Sequence, residues 1–537
     1  MKLNSQELKN RQVWESAGFA LPQFDVEEVA KETKEHPAWI HFGAGNIFRA
    51  FPAAVQQKLL NEGKAKTGII VAEGYDYEII DKMYDPHDNL GLLVTLKSNG
   101  TIEKTVIGSI VEALRADSEN EKDFGRLKEI FRAKTLQMVS FTITEKGYSL
   151  VNAKGEVMAD VAADFENGPA KPKSYIGKLA SLLYERFQNG ALPVALVSMD
   201  NCSHNGTRLY EAVEAFAKKW EEHNLVNAGF LAYISDKCKV SFTWSMIDKI
   251  TPRPDESVKE MLKEAGFEDV EAKVTSKNTY VAPFVNAEEP QYLVIEDEFP
   301  NGRPNLDEAG IIYTDRETVD KVEKMKVCTC LNPLHTALAV YGCLLGYTSI
   351  YKEMEDPELK KLVETIGYVE GLPVVVNPGI LDPKAFIDEV LQVRIPNPFM
   401  PDTPQRIATD TSQKLSIRFG ETIKAYAADP KLNVQDLKLI PLVLAGWCRY
   451  LLAVDDKGEK FELSPDPLLD SVCAYVKEIQ LGAVGNIHEK LQPILADEKI
   501  FGVDLYQAGL GERVEELFAE LAAGPGAVRA TLQKYVK

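Results

Sequence analysis

The chain is poor in everything that would make it a metal-stapled, secreted or membrane-spanning protein. Its seven cysteines (Cys202, Cys238, Cys328, Cys330, Cys343, Cys448 and Cys473) are scattered, odd in number and contain no C-x-x-C pair. Cys328 and Cys330 are too close for an easy disulfide, and no second Cys/His pair stands near them to complete a zinc site. Reduced thiols in a cytoplasmic protein without a bound metal are the simplest reading. A basic surplus is also missing: 61 Lys and Arg against 81 Asp and Glu leave a net charge of −20. That balance argues against the cationic face on which nucleic-acid binding and anionic membranes depend. No window reads as a membrane span, since even the most apolar stretch, residues 439–454, carries Arg449. The N-terminus lacks the apolar core of a secretory signal, and no repeat of 20–50 residues is visible.

What remains is a globular composition, 45% apolar and 26% charged, over 537 residues. The first three hundred residues alternate short apolar runs with helical, charged stretches. Extended runs are expected at 39–42, 68–72, 92–96, 137–143 and 194–198, with helices near 47–62 and 119–133. This βαβ patterning predicts a mostly parallel sheet. From about Arg316 the pattern becomes amphipathic helix, as in residues 357–366, 405–428 and 513–522. The expected architecture is an α/β, Rossmann-like nucleotide-binding domain over 1–310 and a mainly α-helical substrate and catalytic domain over 311–537.

The run Gly43-Ala44-Gly45-Asn46-Ile47-Phe48-Arg49 follows an expected strand and opens an expected helix. Glycines allow a tight turn and close backbone approach, and a helix N-terminus favours a pyrophosphate. Phe48 stands where the third glycine of G-x-G-x-x-G belongs, and a glycine turn can precede any helix. Glu73, 28 residues after Gly45, ends the next expected strand. A carboxylate there accepts ribose hydroxyls and repels a 2′-phosphate, which points to NAD; Asp76 competes for this role.

Four segments together resemble one family. They are the nucleotide turn from His41 to Arg49, the T-x-T-E-x-G-Y stretch from Thr142 to Tyr148, the D-N-x-x-x-N-G stretch from Asp200 to Gly206, and the L-N-x-x-H stretch from Leu331 to His335. On these the chain is identified as similar to the long-chain polyol dehydrogenases. The resemblance implies metal-independent, NAD-linked oxidoreduction of a keto sugar or keto acid. It implies Lys326 as acid/base, Asn332, His335 and Asn201 around the reacting oxygen, and Glu323 as a proton relay. It further implies Asp248, Arg406 and Lys414 in substrate binding, and Gly43, Gly45, Asn46, Ile47, Phe48, Glu73, Thr144 and Glu145 at the cofactor. The stretch from Cys328 to Leu338 looks closer to enzymes of mannonate than to enzymes of mannitol. The expected reaction is therefore D-fructuronate to D-mannonate, with tagaturonate reduction or mannitol 2-oxidation as alternatives and a non-catalytic NAD-binding sensor as a different class. The only partner expected is the small-molecule substrate, with the chain a monomer or small homo-oligomer.

The residue types suit that chemistry. Hydride delivery to a carbonyl leaves an alkoxide that needs a proton, which a desolvated lysine can give, while amide and imidazole donors stabilise the oxyanion. Other roles fit the same residues. Lys326 can pair with Glu323 on a helix surface, Asn332 before Pro333 can cap a helix, and His335 can be a core histidine. One departure matters. Lys326 and Asn332 are six apart and Lys326 and His335 nine apart, one more than the family's five and eight. At about 100° per residue, nine residues of regular helix put Lys326 and His335 on opposite sides, whereas eight leave roughly 80°. An irregular backbone is expected between Lys326 and Pro333, either a π-bulge or a fresh helical start at Pro333.

Overall fold

The structure is a computed structural model that describes residues 1–253, 256–483 and 485–537. Two compact units divide the chain. The first comprises Met1–Lys97 and Thr101–Asp320, the second Ser98–Gly100 and Lys321–Lys537.

In the first unit, six strands form one sheet: β1 (Trp39–Phe42), β2 (Ile69–Glu73), β3 (Ile110–Arg115), β4 (Met138–Phe141), β5 (Val194–Ser198) and β6 (Val240–Thr243). Their order is β3-β2-β1-β4-β5-β6, and every pairing is parallel. This is the doubly wound order, with its switch point between β1 and β4. The core strands are buried along their whole length because both faces are covered. Alternate residues go to opposite faces. Ile40, Phe42, Ile70 and Ala72 pack with Phe124, Leu127, Leu179 and Leu183 of the helices Glu121–Arg132 and Tyr175–Gln188. Trp39, Ile69 and Val71 pack with Ala53, Val55 and Leu59 of the helix Pro52–Asn61.

Two expectations need correction here. The run 92–96 lies in Gly91–Leu96, which belongs to a separate four-stranded sheet. It pairs antiparallel with Ile102–Ile107 and parallel with Phe284–Glu288. The connection to Ile102 is too short for the crossover a parallel neighbour needs. The expected helix over 47–62 is two helices, Asn46–Ala50 and Pro52–Asn61. Pro52 has no N–H to continue the ladder and pushes Phe51 out of helical geometry, to φ −123° and ψ −71°.

The second unit is helical around two core helices, Asn332–Leu345 and Leu439–Tyr450. All twelve positions of Leu439–Tyr450 are buried, so the most apolar stretch of the chain is a core helix. They meet closely: the Tyr341 hydroxyl donates to the Leu442 carbonyl at 2.8 Å, and a Cβ on Gly446 would stand 2.9 Å from the Tyr341 ring. Arg449, fully buried, donates to the carbonyls of Leu521, Val454 and Asp455. Glu370 accepts the N–H groups of Lys438, Leu439 and Ile440, doing the work of a cap at the start of this helix. The run Arg316–Leu345 is long and apolar enough by composition to cross a membrane, but 72% of its most apolar window is buried within the protein.

Four π-helical turns are among the described residues of this unit: Lys326–Cys330, Ile366–Gly371, Val390–Arg394 and Ser416–Gly420. The stretch 405–428, expected as one amphipathic helix, is instead Pro404–Ile407, a 3₁₀ turn Thr411–Gln413, the π turn Ser416–Gly420 and Glu421–Ala428. Asp410, in the left-handed region at φ +55°, breaks it. All seven cysteines are free thiols.

Candidate active site

The glycine turn sits at the switch point of the six-stranded sheet. Gly43 has φ +107°, and a Cβ there would lie 2.2 Å from the Thr142 carbonyl oxygen, so only glycine fits between the ends of β1 and β4. Gly45 differs. Its backbone is extended, and a Cβ would meet nothing within 4 Å. It precedes the helix Asn46–Ala50 with no side-chain cap, leaving the first N–H groups of Asn46, Ile47 and Phe48 outside the helical ladder.

Phe48 replaces the third glycine by packing rather than by absence. Its ring stacks on His41 of β1, with centroids 4.4 Å apart and planes at 12°. His41 is fully buried; Nδ1 meets Ser140 Oγ at 2.7 Å and Nε2 meets Thr142 Oγ1 at 2.8 Å. Burial pushes its pKa down to about 3, so it is a neutral bridge between β1 and β4.

Glu73 proves to be no solvated carboxylate. It is 6% exposed. One oxygen accepts the Ala44 N–H at 2.9 Å, and the other accepts those of Tyr75 and Asp76 at 2.8 and 3.0 Å. It therefore ties the glycine turn to the end of β2, whatever else it binds. Asp76 is also buried, its Oδ2 accepting the hydroxyls of Thr275 and Thr279.

After β4 the chain enters Thr144, a β-branched residue at φ +63°. Such strain persists only where neighbours over-determine it. Here Asp200, just past β5, accepts the N–H groups of Ile143 at 2.9 Å and Thr144 at 2.8 Å and the Tyr148 hydroxyl. Asn205, 1% exposed, donates to the carbonyls of Asp200 and Ser245 and accepts from the N–H groups of Gly206 and Ser245. Sequence reasoning singled out Asn201 in this motif and missed the framework role of its neighbours. Asn201 itself is exposed, one residue beyond Asp200. Glu145 is exposed and pairs with Arg208 at 2.8 Å. Asp248 is buried at the end of the strand Ser245–Asp248, opposite Tyr292.

In the second unit, Lys326 is 3% exposed and opens a π turn. The Leu331 N–H reaches the Lys326 carbonyl at 3.1 Å, an i to i−5 bond. Leu331 is off helical geometry at φ −131° and ψ −61°, and a regular helix restarts at Asn332. The irregular backbone that the spacing demands is present. A π turn takes up one residue, so nine residues act as eight, and the Lys326-to-His335 offset returns to about 80°. Lys326 is not a surface lysine, and Glu323, half-buried, lies one helical turn before it.

Asn332 is not the cap of its helix; Leu331 holds that position. Among the described residues its carboxamide has no hydrogen-bond partner, and it lies three residues before His335, on the same face. His335 Nε2 stands 3.7 Å from the Asp402 carboxylate, yet burial, with Arg418, Arg406 and Arg394 nearby, lowers its pKa to about 3. The lowering influences outweigh the one carboxylate, and His335 is a neutral donor or acceptor at physiological pH.

Arg406 and Lys414 do not share a helix, as their spacing of eight allowed. Arg406 lies in Pro404–Ile407, is 63% exposed and pairs with Asp402. Lys414 follows the 3₁₀ turn, and its ammonium donates to the Thr409 carbonyl. Arg394, buried, ends one π turn, and Arg418 lies within another. Arg418 was missed by sequence reasoning, although it follows Lys414 by four residues.

A glycine turn at the switch point of a 3-2-1-4-5-6 parallel sheet, followed by a helical unit carrying a buried lysine and a neutral histidine, is the architecture of a two-unit nucleotide-linked dehydrogenase. Comparison with known proteins narrows this. Residues 37–308 match the mannitol dehydrogenase Rossmann domain and residues 318–522 the mannitol dehydrogenase C-terminal domain. The chain belongs to the mannitol dehydrogenase family. It is 55% identical to a D-mannonate oxidoreductase of Thermotoga maritima over 538 aligned residues, covering 100% of this chain and 99% of that protein. Among solved structures it is similar to mannitol 2-dehydrogenase of Pseudomonas fluorescens in ternary complex with NAD and D-mannitol (TM-score 0.68, 26% identity, 99% of both chains). It also shares its fold with a D-sorbitol dehydrogenase (TM-score 0.79, 24% identity, 96% of this chain and 98% of that one).

Proposed function

We propose that this chain is an NAD-dependent, cytoplasmic oxidoreductase that interconverts D-fructuronate and D-mannonate. The observation that carries the reading is the constellation in the second unit. A buried lysine, a carboxamide with no partner among the described residues and a neutral imidazole lie within ten residues, and three arginines stand near the imidazole. The full-length likeness to a D-mannonate oxidoreductase supports the same substrate pair.

The first unit fits NAD. Gly45 leaves open space beside the turn, and the uncapped N–H groups of Asn46, Ile47 and Phe48 suit a pyrophosphate. When bound there, NAD supplies the hydride acceptor or donor. Lys326 gives a proton to the oxygen of the fructuronate carbonyl as it becomes an alkoxide, and takes it back in mannonate oxidation. Asn332 and neutral His335 donate to that oxygen as negative charge develops, and orient it before the step. The neutrality of His335 leaves the proton transfer to Lys326. Glu323 relays protons to and from Lys326, with Asn201 and Asp248 as further substrate contacts and Thr144 and Glu145 beside the cofactor. The cations of the second unit hold the sugar-acid carboxylate.

NADH oxidation by purified protein tests this across fructuronate, tagaturonate and fructose. The highest kcat/KM is expected with fructuronate. A preference for tagaturonate or fructose would reassign the substrate, and no oxidation with any of them would leave the sensor reading in its place.

A further inference from the structure

Arg418 is a half-buried guanidinium with no ion-pair partner among the described residues. Among the described residues its side chain makes one hydrogen bond, from Nη1 to Thr336 Oγ1. Thr336 Oγ1 in turn donates to the Asn332 carbonyl at 2.8 Å. Arg418 is thereby fixed against the first turn of the helix that presents Asn332 and His335. The rest of its donors, four of the five a guanidinium carries, have no acceptor among the described residues.

A second cation, Lys414, lies close to Arg418. Lys414 is half-buried, bonded only to the Thr409 carbonyl, and Arg418 pushes its pKa down further. Burial alone lowers Arg418 to about 10. Asp410 and Asp466 act on Lys414 in the opposite sense, whereas no carboxylate among the described residues offsets Arg418, and a desolvated cation is costly to keep unless an anion completes its site. Arg406, by contrast, is mostly exposed and already paired with Asp402.

We propose that Arg418, together with Lys414, receives the carboxylate of the substrate, and that Arg418 sets the preference for a keto acid over a neutral keto sugar. This rests on the hexuronate reading above. A planar guanidinium with adjacent free N–H groups matches a carboxylate in a bidentate fork. In fructuronate the carboxylate lies four carbon–carbon bonds from the reacting carbonyl. Arg418 is anchored at Thr336, one residue beyond His335.

Fructuronate and fructose test this directly, because fructose carries a hydroxymethyl group where fructuronate has its carboxylate. Arg418→Gln is expected to lower kcat/KM for fructuronate on the order of 100-fold, mainly through KM. Its kcat/KM for fructose should be unchanged or higher, and Arg418→Lys should recover part of the fructuronate loss. Should the glutamine variant fail to fold, the lysine variant carries the test through the same ratio of the two substrates. An active parent whose variants keep its fructuronate KM, or lose both substrates in equal proportion, overturns the role of Arg418 alone. A parent inactive on fructuronate overturns the substrate reading and this role together.

Discussion

Removing or adding one residue in the π turn Lys326–Cys330 has opposite consequences, and the difference can be worked from helix geometry. In a regular helix, nine residues between Lys326 and His335 give about 180°, and the π turn brings this back to about 80°. Deleting Val327, a half-buried position, leaves eight residues, and a plain α-helix then restores the same offset without the bulge. Inserting an alanine after Val327 leaves an effective nine, swinging Lys326 round by about 100°. At the helix radius of roughly 5–6 Å with side chains, that moves the ammonium by about 8 Å. A shift of about 1 Å in a reacting group can cost on the order of 100-fold, and loss of a general acid costs about 10²–10⁴-fold. The deletion is therefore expected to keep kcat within about tenfold of the parent. The insertion is expected to lower kcat by about 10²–10⁴-fold. Steady-state kinetics read both, with thermal unfolding and NADH titration establishing that each variant is folded and binds cofactor. An insertion variant that folds, binds NADH and turns over like the parent would refute the register argument, and so would a folded deletion variant as impaired as the insertion.

Other expectations concern the nucleotide turn and the buried titratable groups. Gly43→Ala meets both a left-handed φ and the Thr142 carbonyl, so about 2–4 kcal/mol of stability should be lost; Gly45→Ala, with nothing near it, should unfold within about 1 kcal/mol of the parent yet bind NADH more weakly. Equal unfolding midpoints for the two would contradict the assignment. Asp200→Ala strips the acceptor from two backbone N–H groups and Tyr148 and frees the strain at Thr144, for a net loss of about 3–5 kcal/mol in denaturant unfolding; Asp200→Asn should lose less, and an alanine variant as stable as the parent would remove the framework role. His335 has its pKa depressed from 6.5 to about 3. The unfolded chain thus binds a proton below pH 6.5 that the folded chain refuses, and stability falls as pH drops from about 6.5 towards 3. The imidazole accounts for about 2 kcal/mol of that loss by pH 5. His335→Gln should show a correspondingly shallower decline between pH 7 and pH 5, and a slope equal to the parent's would show that the imidazole titrates normally.

Much of the fold was legible because its signals are local. Strand runs, a glycine turn and helix periodicity each follow from a few neighbouring residues, and the extra residue before Asn332 announced an irregular backbone by arithmetic alone. What stayed hidden depends on partners distant in sequence. Nothing near Glu73 says that its carboxylate is taken up by Ala44, Tyr75 and Asp76. Nothing near Asp200 says that it closes a loop 56 residues earlier. Arg418 escaped notice because a cation's value lies in lacking a counterion, and only packing reveals that. The 405–428 stretch misled because residues at three- and four-residue spacing suggest one helix, while a left-handed Asp410 and a π turn redirect the chain without disturbing that spacing.

The π turns show how the second unit of an acidic protein takes cations out of the solvent. A residue inserted into a helix costs backbone hydrogen-bond geometry, but it rotates the following turn by about 100° relative to the preceding one. Each such turn can thus present a polar side chain that regular periodicity would have sent elsewhere. Three of the four π turns carry cations, at Lys326, Arg394 and Arg418, and the fourth carries Glu370, which satisfies the start of the core helix Leu439–Tyr450. Lys326 and Arg394 are 3% exposed and Arg418 is pushed down by burial, so they act at short range through a poorly screened medium. Exposed carboxylates act through water and are damped beyond about 8 Å at physiological salt. A net charge of −20 spread over the surface and a site for an anion are then compatible, because the two are governed by different dielectric surroundings.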